Sequence, residues 1–407
     1  MLEKFIHRLL LRRHFWRHVT LSEVAELYAA RLLRMTAGSL ISVMAAVYMY
    51  KNGYSVLYIV VAYLIYFIFK VIISYPCGMV IARYGPKHGM FFANILMIPS
   101  LLFFLMLPEW TIWALVGHLI FYALSITMYD MAHLVSFSKV QSTQHAGREL
   151  GFMNIMDKIA KGLSPFIGGL MAWIFGPDVT IWVASVLFLA SAVPLFLTAE
   201  PVKTRQKIRF HGFPWRQVWR SLRAEVAVGA DVAGSTILWQ LFLIAIVLAG
   251  AGDEAYAQIG ALASVTLIVG LIVPRIYGRL VDRRRGLELL QCGVAINSIV
   301  HMVRPAVATP VSAGVVNVAY ETAVTAYTMS FMRGMFDLAD RSGHRIAYLL
   351  LIEVAINIGS VLMFAVAAGL LYFLGDKTGL SLTFVVIGCF TLLIASARFP
   401  LYTRTKK

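Results

Sequence analysis

The sequence predicts an all-α membrane protein with twelve transmembrane helices in two pseudo-symmetric halves of six, and three observations support this fold class. First, 60% of the 407 residues are hydrophobic and only 14% are charged, with a mean hydropathy of +0.77. Second, apolar runs of roughly 20 residues recur along the chain, which is the length of helix that spans a bilayer. Third, a basic break at 200–223 divides these runs into six and six.

The apolar runs define the predicted spans in order. They cover 27–50, 54–76, 88–107, 111–134, 149–175, 179–199, 224–250, 256–278, 287–305, 310–332, 345–374 and 379–399. Turn-forming pairs such as Asn52-Gly53 and Gly176-Pro177 separate several of them. The predicted parts of the chain are therefore an N-terminal segment (1–20), an N-terminal half (21–199), a cytoplasmic linker (200–223), a C-terminal half (224–399) and a tail (400–407).

The N-terminal segment 1–20 is predicted to lie on the membrane surface. Its basic residues alternate with apolar ones and are Lys4, Arg8, Arg12, Arg13 and Arg17. A basic amphipathic helix of this kind binds the interface of a membrane that contains anionic lipids. The alternative is an unstructured tail.

The formal net charge of +16 needs no nucleic-acid partner, because membrane proteins collect lysine and arginine in their cytoplasmic loops. The predicted inner loops and tails hold 28 lysines and arginines, whereas the predicted outer loops hold only Lys51, Arg304 and Lys377. We therefore expect a multi-pass protein of the cell membrane with both termini in the cytoplasm.

The sequence gives no sign of an enzyme, a cofactor or a metal site. Cys77, Cys292 and Cys389 are isolated from one another, so they form neither a disulfide framework nor a metal cluster. No H-E-x-x-H helix and no G-x-S-x-G elbow occurs. We predict no catalytic residues.

Two charged stretches interrupt the apolar runs at corresponding places in the two halves. Residues 75–90 read Y-P-C-G-M-V-I-A-R-Y-G-P-K-H-G-M, and residues 273–286 read V-P-R-I-Y-G-R-L-V-D-R-R-R-G. Both resemble the loop signature of the major facilitator superfamily, roughly G-x-L-a-D-r-x-G-r-k. The matching residues are Gly78, Arg83, Gly85 and Lys87 in the first copy, and Gly278, Leu280, Asp282 and Arg283 in the second. Ala82 replaces the aspartate of the first copy, and Arg285 displaces the second glycine of the other copy to Gly286.

A further stretch in span 5 resembles the antiporter signature of that superfamily, G-x8-G-x3-G-P-x2-G-G. The matching residues are Gly151, Pro165, Gly168 and Gly169, while Ala160 and Ser164 replace two glycines by small residues. Small residues let helices approach closely, and proline bends a helix. This resemblance favours export by exchange.

The resemblance implies that spans 1, 4, 7 and 10 line a central cavity, and each of them carries polar residues at helical spacing. The candidates are Arg31, Arg34, Gly38, Ser39 and Ser42 on span 1, His118, Tyr122, Ser125 and Tyr129 on span 4, Asp231, Ser235, Trp239 and Gln240 on span 7, and Asn317, Tyr320, Glu321, Thr325, Tyr327 and Thr328 on span 10. For a single serine, threonine or glycine, close helix packing is the simpler interpretation.

Charged groups within the spans have a large insertion cost and therefore need a partner or a wet cavity. Glu321 and Asp231 are the predicted substrate-binding or proton-coupling carboxylates. Glu321 either carries the proton or pairs with a base such as Lys161 or Arg31. Asp157 and Lys161, four residues apart on span 5, either pair with each other or bind an anionic substrate.

Glu353 and Asn357 lie one turn apart on span 11. Glu353 takes nearly the position there that Asp157 has on span 5. Both acids are coupling or gating candidates, and interhelical hydrogen bonding is the alternative.

Three functions remain open. The first is proton-coupled secondary transport of a small solute by alternating access, with export favoured. The second is uptake of an organic anion, with Lys161, Arg31 or Arg34 as the counter-charge. The third is a lipid flippase or a non-transporting receptor on the same fold. The expected partners are a small-molecule substrate, protons and the lipid bilayer, and we expect a monomer.

Overall fold

The computed structural model describes residues 21–42, 44–140, 146–196, 208, 210–282 and 285–403. Within these ranges helices account for nearly all residues, and no strand occurs. The all-α fold class is therefore confirmed. The predicted amphipathic segment 1–20 lies outside the described residues.

The helices of the N-terminal half follow the predicted spans closely. They are α1 (Leu21–Ser42, continued by a short helix Met44–Lys51), α2 (Val56–Tyr84), α3 (Pro86–Leu105), α4 (Leu107–Val140), α5 (Ala146–Phe175) and α6 (Pro177–Ala192, followed by a 3-10 turn Val193–Phe196). Two sharp turns use glycine with a positive φ, at Gly85 between α2 and α3 (98°) and at Gly176 between α5 and α6 (91°). Glycine adopts this conformation without the steric penalty of a side chain.

The helices of the C-terminal half are longer and less regular. They are α7 (Trp215–Ala233), α8 (in two segments, Glu254–Ser264 and Leu267–Asp282), α9 (Gly286–Val303), α10 (Pro310–Arg341) and α11 (Arg345–Thr391). Wider helical turns continue α7 through Val247, and short helices at Leu392–Ser396 and Pro400–Thr403 follow α11. Because α7 begins at Trp215, it starts inside the predicted linker.

Nine helices in the described part of the chain are long and apolar enough to cross a membrane. One of them, Arg345–Ser396, has 52 residues and leaves helical geometry at Gly375, where φ is 76° and ψ is 176°. It therefore covers the two predicted spans 11 and 12. The more polar helices α5 and α10 are not among the nine, so the count of twelve stays a prediction.

The two halves pack through α5 against α8 and through α2 against α11. A Cβ at position 168 would overlap the backbone oxygen of Leu40 on α1, and one at position 169 would overlap that of Tyr256 on α8. Gly260 of α8 lies equally close to the backbone of Pro165. The small residues of the span 5 motif thus allow α5 to contact both halves at backbone distance.

Candidate functional site

A cavity of about 440 Å³ lies between the two halves and is the central feature of the candidate site. Residues of α1, α4 and α5 line it from one half, and residues of α7, α10 and α11 line it from the other. The charged or titratable side chains of its wall are Arg31, Asp130, His133, Asp157, Lys161, Glu225, Asp231, Tyr320, Tyr327 and Glu353. The sequence predicted walls from spans 1, 4, 7 and 10, and the structure adds α5 and α11.

Arg31 and Asp157 form a two-point ion pair in the wall of the cavity. The Arg31 Nε lies 2.7 Å from Oδ1 of Asp157, and its Nη2 lies 2.5 Å from Oδ2. The planar guanidinium matches both oxygens of a carboxylate, which a single ammonium group does not. Asp157 is therefore paired with Arg31, rather than with Lys161 as the spacing on span 5 suggested.

Lys161 lines the cavity and its side chain is exposed. Among the residues that the structure describes, it forms no ion pair. A lysine in this setting presents a positive charge to whatever enters the cavity.

Asp231 is the centre of a fully buried network in the C-terminal half. Its Oδ1 lies 2.6 Å from Nε2 of His301 and accepts a hydrogen bond of 2.9 Å from the amide of Asn297, while Tyr327 donates to Oδ2. The Arg304 Nη1 lies 3.1 Å from the His301 Nδ1. An arginine only donates, so the His301 Nδ1 accepts, and its Nε2–H donates a hydrogen bond to Asp231. His301 thus links the cation of Arg304 to the anion of Asp231.

Arg304, His301 and Asn297 were not predicted as site residues, and Arg304 was placed in an outer loop. That placement is wrong, since Arg304 is 1% exposed and donates to the backbone oxygen of Gly234 at 2.9 Å. Its guanidinium also lies 4.8 Å from the Trp239 ring and 4.9 Å from the Tyr320 ring. The signal available was the i, i+4 and i+7 spacing of Asn297, His301 and Arg304 on one apolar helix.

Glu321 is paired across the halves. Its Oε1 lies 2.5 Å from Nζ of Lys158 on α5 and accepts a hydrogen bond from Thr325 at 3.0 Å. The salt-bridge alternative therefore describes its state in this structure, although the base is Lys158 and neither Lys161 nor Arg31. The helical phase decides this, because Lys158 and Lys161 are three residues apart and α5 turns only the first toward Glu321.

A smaller cavity of about 170 Å³ adjoins Glu321 within the C-terminal half. Trp239 donates to Asn317 at 2.9 Å, and Asn317 donates to the backbone of Leu262 at 2.9 Å. Gln240 also lines this space, and its Oε1 is buried with no hydrogen-bond partner. The polar residues predicted on spans 7 and 10 are thus brought together here.

Glu353 is the second acid that is paired across the halves. Lys70 of α2 lies 3.4 Å from its Oε1, and Asn357 donates to the same oxygen at 2.9 Å. Glu353 and Asn357, which the sequence places one turn apart, are therefore in contact. Lys70 lies within the predicted span 54–76 and was not predicted as a site residue.

The predicted residues of span 4 separate into two groups. His118 faces α3, where its Nδ1 lies 3.0 Å from the Ser100 hydroxyl, so it packs away from the cavity. The Tyr122 ring stacks on that of His118 at 5.3 Å and on that of Tyr66 at 5.4 Å. Tyr129 lies under Arg34, with 4.0 Å from the guanidinium carbon to the ring centroid.

Arg34 is the buried centre of the N-terminal half. It is 2% exposed and donates to Asn94 at 2.5 Å and to the Ser125 hydroxyl at 3.1 Å. Its partners are neutral groups and the aromatic rings of Tyr129 and Phe188. Arg34 therefore contributes a fixed positive charge beside the cavity rather than in its wall.

The two loop motifs lie at the end of the bundle where α1 begins, which we call the Leu21 end. A Cβ at position 78 would lie 3.4 Å from Leu350 of α11 and 3.0 Å from Met131. Gly85 forms the turn, Arg83 is exposed and Lys87 is buried. In the second copy, Gly278 is buried and Asp282 ends α8. Arg283 lies outside the described residues, and only the backbone position of Gly151 in α5 is described.

The halves also contact each other at the opposite end of the bundle, which we call the Lys51 end. Lys51 lies 2.6 Å from Asp253 and donates to the backbone of Gly252 at 2.7 Å. Val47 of the N-terminal half packs there in one apolar cluster with Ile244 and Tyr256. The halves therefore touch at both ends, and the cavity lies between these contacts.

The described residues contain no group of three or more histidine, cysteine or acidic side chains that could hold a metal ion. The three cysteines are free, and Cys77 is buried.

Comparison with known proteins identifies the fold. The family model described as Major Facilitator Superfamily matches residues 27–344. Among curated protein sequences, none matches this chain.

Solved structures with the same fold share little sequence with this chain. The human organic anion transporter MFSD10 (TETRAN) has a TM-score of 0.68 at 8% identity, covering 93% of this chain and 100% of that one. The transporter FucP, in the outward conformation, has a TM-score of 0.62 at 14% identity over 90% and 97% of the two chains. A POT family transporter in complex with a thioalcohol-conjugated peptide has a TM-score of 0.67 at 10% identity over 91% and 95%.

Proposed function

Because the chain belongs to the major facilitator superfamily, which consists of secondary transporters, we propose that it moves a small solute by alternating access coupled to protons. The direction that we propose is export. The superfamily consists of transporters and not of enzymes, and a transporter needs a site between two halves that can open to either side.

One observation carries this proposal: among the residues that the structure describes, three ion pairs join the two halves. Lys51–Asp253 lies at the Lys51 end, while Lys70–Glu353 and Lys158–Glu321 lie beside the cavity. A rocking motion has to break such pairs on one side, and the carboxylates released then need a proton or a substrate charge. Proton binding and rearrangement of the halves are linked for this reason.

The proposed direction rests on α5. Its Pro165, Gly168 and Gly169 match the antiporter signature and lie in backbone contact with α1 and α8. Exchange requires that the empty binding site does not reorient from one side of the membrane to the other. Close contact of α5 with α1 and α8 supports that restriction.

A second candidate function is uptake of an organic anion, and Lys161 favours it. Lys161 is an exposed residue of the cavity wall and has no ion pair among the described residues. Lys161→Gln should then weaken binding of anions and leave binding of neutral solutes unchanged. Lys377→Gln, at an exposed lysine outside the cavity wall, is the matched control.

The test uses the purified protein in liposomes that contain a trapped pH-sensitive dye. A panel of small organic anions and cations is first screened for thermal stabilisation of the protein, and each stabilising solute is then added outside. We expect at least one solute to change the internal pH in a protein-dependent manner, with a sign that reveals exchange or symport. A stabilising solute that crosses without moving protons contradicts the coupling, and one that binds without crossing supports the receptor alternative.

A further inference from the structure

Glu225 is an acid in the cavity wall whose charge has no compensation. It lies on α7, is 6% exposed and lines the central cavity. Its Oε2 is buried without a hydrogen-bond partner, and no ion pair of Glu225 occurs among the described residues. A buried carboxylate without a partner is strongly disfavoured relative to the protonated acid.

The other buried acids around the cavity are all compensated. Asp157 pairs with Arg31, Asp231 with the His301–Arg304 relay, Glu353 with Lys70 and Glu321 with Lys158. Asp130 also lines the cavity, but it is only half-buried and therefore within reach of water there. Each of these groups can carry its charge where it stands.

The groups beside Glu225 on α10 and α11 supply no positive charge to it. Glu353 of α11 and Tyr327 of α10 line the cavity together with Glu225, and Tyr348 of α11 contacts Ser221, one turn earlier on α7. The hydroxyl of Tyr348 is 2.8 Å from Ser221, and that of Tyr327 donates to Asp231, so neither points a free donor at Glu225. Of the cations near this cavity, Lys70 is held on Glu353 and Arg31 on Asp157, and Lys161 belongs to α5 of the other half.

The position of Glu225 links it to the motion of the halves. Within the C-terminal half, α7 and α11 pack at backbone distance, and Ser360 donates to the backbone of Gly229 at 2.9 Å. Glu225 and Glu353 therefore move together, whereas Lys70 belongs to α2 of the other half. When the halves move apart, Lys70 changes its distance from both acids and cavity water gains access to them.

We propose that Glu225 is the residue that binds the coupling proton, and that Lys70 and Glu353 link its protonation to the position of the halves. This inference rests on the proposed function and replaces Glu321 as the proton carrier. The proton is taken from cavity water onto a carboxylate oxygen of Glu225. It returns to water when the surroundings of Glu225 become polar.

The test is infrared spectroscopy of the full-length protein in lipid nanodiscs across a pH series, with no solute present. We expect the C=O stretch of a protonated carboxyl at neutral pH, with the downshift that exchange into D2O causes. Glu225→Gln should remove this band. Glu109→Gln, an exposed glutamate outside the cavity wall, should leave it intact.

Two further variants keep the test decisive. Glu225→Asp retains the carboxyl and should shift the frequency of the band. This variant tests the assignment even if Glu225→Gln does not fold. Glu353→Gln removes a facing negative charge and frees Lys70, so the band should disappear at lower pH than in the wild type. A purely structural role of Glu225 would not move this pH profile.

A wild-type protein without the band at neutral pH, or a band that persists in Glu225→Gln, overturns the inference. The measurement uses no transported solute, so it is independent of the proposed function. A protein that shows the band and carries no solute in liposomes refutes transport, whereas proton-driven transport without the band refutes only the assignment to Glu225.

Discussion

The two halves place opposite charges at equivalent positions. Arg34 of α1 is 2% exposed and is bound by Asn94 of α3 and Ser125 of α4. Asp231 of α7 is 0% exposed and is bound by Asn297 of α9 and Tyr327 of α10. The first, third and fourth helices of each half thus meet at one buried charge, a cation in one half and an anion in the other.

The difference lies in how each charge is compensated. Arg34 has neutral acceptors and aromatic faces, whereas Asp231 accepts a hydrogen bond from His301, whose other ring nitrogen accepts one from Arg304. Each network lies within its own half and holds the helices of that half together. The ion pairs that join the halves are separate from these networks. We call the networks of Arg34 and Asp231 the fixed ties, and the pairs Lys51–Asp253, Lys70–Glu353 and Lys158–Glu321 the exchangeable contacts.

The largest expected effect comes from breaking the tie of the C-terminal half. Asp231→Ala leaves Arg304 and His301 buried without an anion, and removing one partner of a buried pair costs about 3–5 kcal/mol. We expect a large fall in the unfolding temperature in detergent. Arg34→Ala, in the other half, leaves only neutral groups, and should lose about 1–3 kcal/mol. Equal losses in the two variants would remove the distinction between the halves.

Glu321→Gln tests a pair that crosses between the halves. It leaves the Lys158 ammonium without its anion, but the side chain of Lys158 is 21% exposed and is therefore not fully removed from solvent. We expect a loss of about 1–3 kcal/mol in thermal unfolding and no loss of proton-driven transport, because Glu225 carries the proton. Loss of coupling with unchanged stability would return that role to Glu321.

Gly168→Ala tests the backbone contact of α5 with α1. The added methyl group would overlap the backbone of Leu40, so the helices must separate, at about 1–3 kcal/mol. Gly369→Ala is the matched control, because its Cβ would meet no atom within 4 Å. A control variant that is as destabilised as Gly168→Ala would show that helix packing is not the cause.

The smallest effect on stability is expected at the Lys51 end. The side chain of Asp253 is 79% exposed, so its pair with Lys51 is screened and contributes about 0.2–1 kcal/mol. Lys51→Gln should leave the unfolding temperature nearly unchanged and weaken closure at this end. A large fall in unfolding temperature would place this pair among the fixed ties.

Particular residues show how far the sequence predicts this molecule. Apolar length and the loop motifs predicted the all-α fold and the family, because burial in lipid requires continuous helices. Asp231, Glu321 and Glu353 were found because a charge inside an apolar run is conspicuous. Their partners were not, since the choice of Lys158 over Lys161 depends on helix rotation and on packing between halves.

Glu225 was missed for a related reason. It follows Arg220 and Arg223 at the predicted start of span 7, where an acid resembles the end of a solvated linker. The structure begins α7 nine residues before that predicted start, at Trp215, and this buries Glu225 against α11. Arg304 was misplaced in the same way at the other end of a span. Charges near span ends are therefore where sequence reasoning fails, because burial there depends on the neighbouring helices.

The most direct test of the account measures distances by double electron–electron resonance between spin labels at exposed sites of the Lys51 end, after the native cysteines are replaced. Labels at Asn52 and Asp376 report on the two halves, and labels at Asn52 and Asp178 report within the N-terminal half. Lys51→Gln should lengthen or broaden the distance between the halves and leave the distance within one half unchanged. An unchanged Asn52–Asp376 distance would contradict the division into fixed ties and exchangeable contacts. An equally large change in the Asn52–Asp178 distance would contradict it as well.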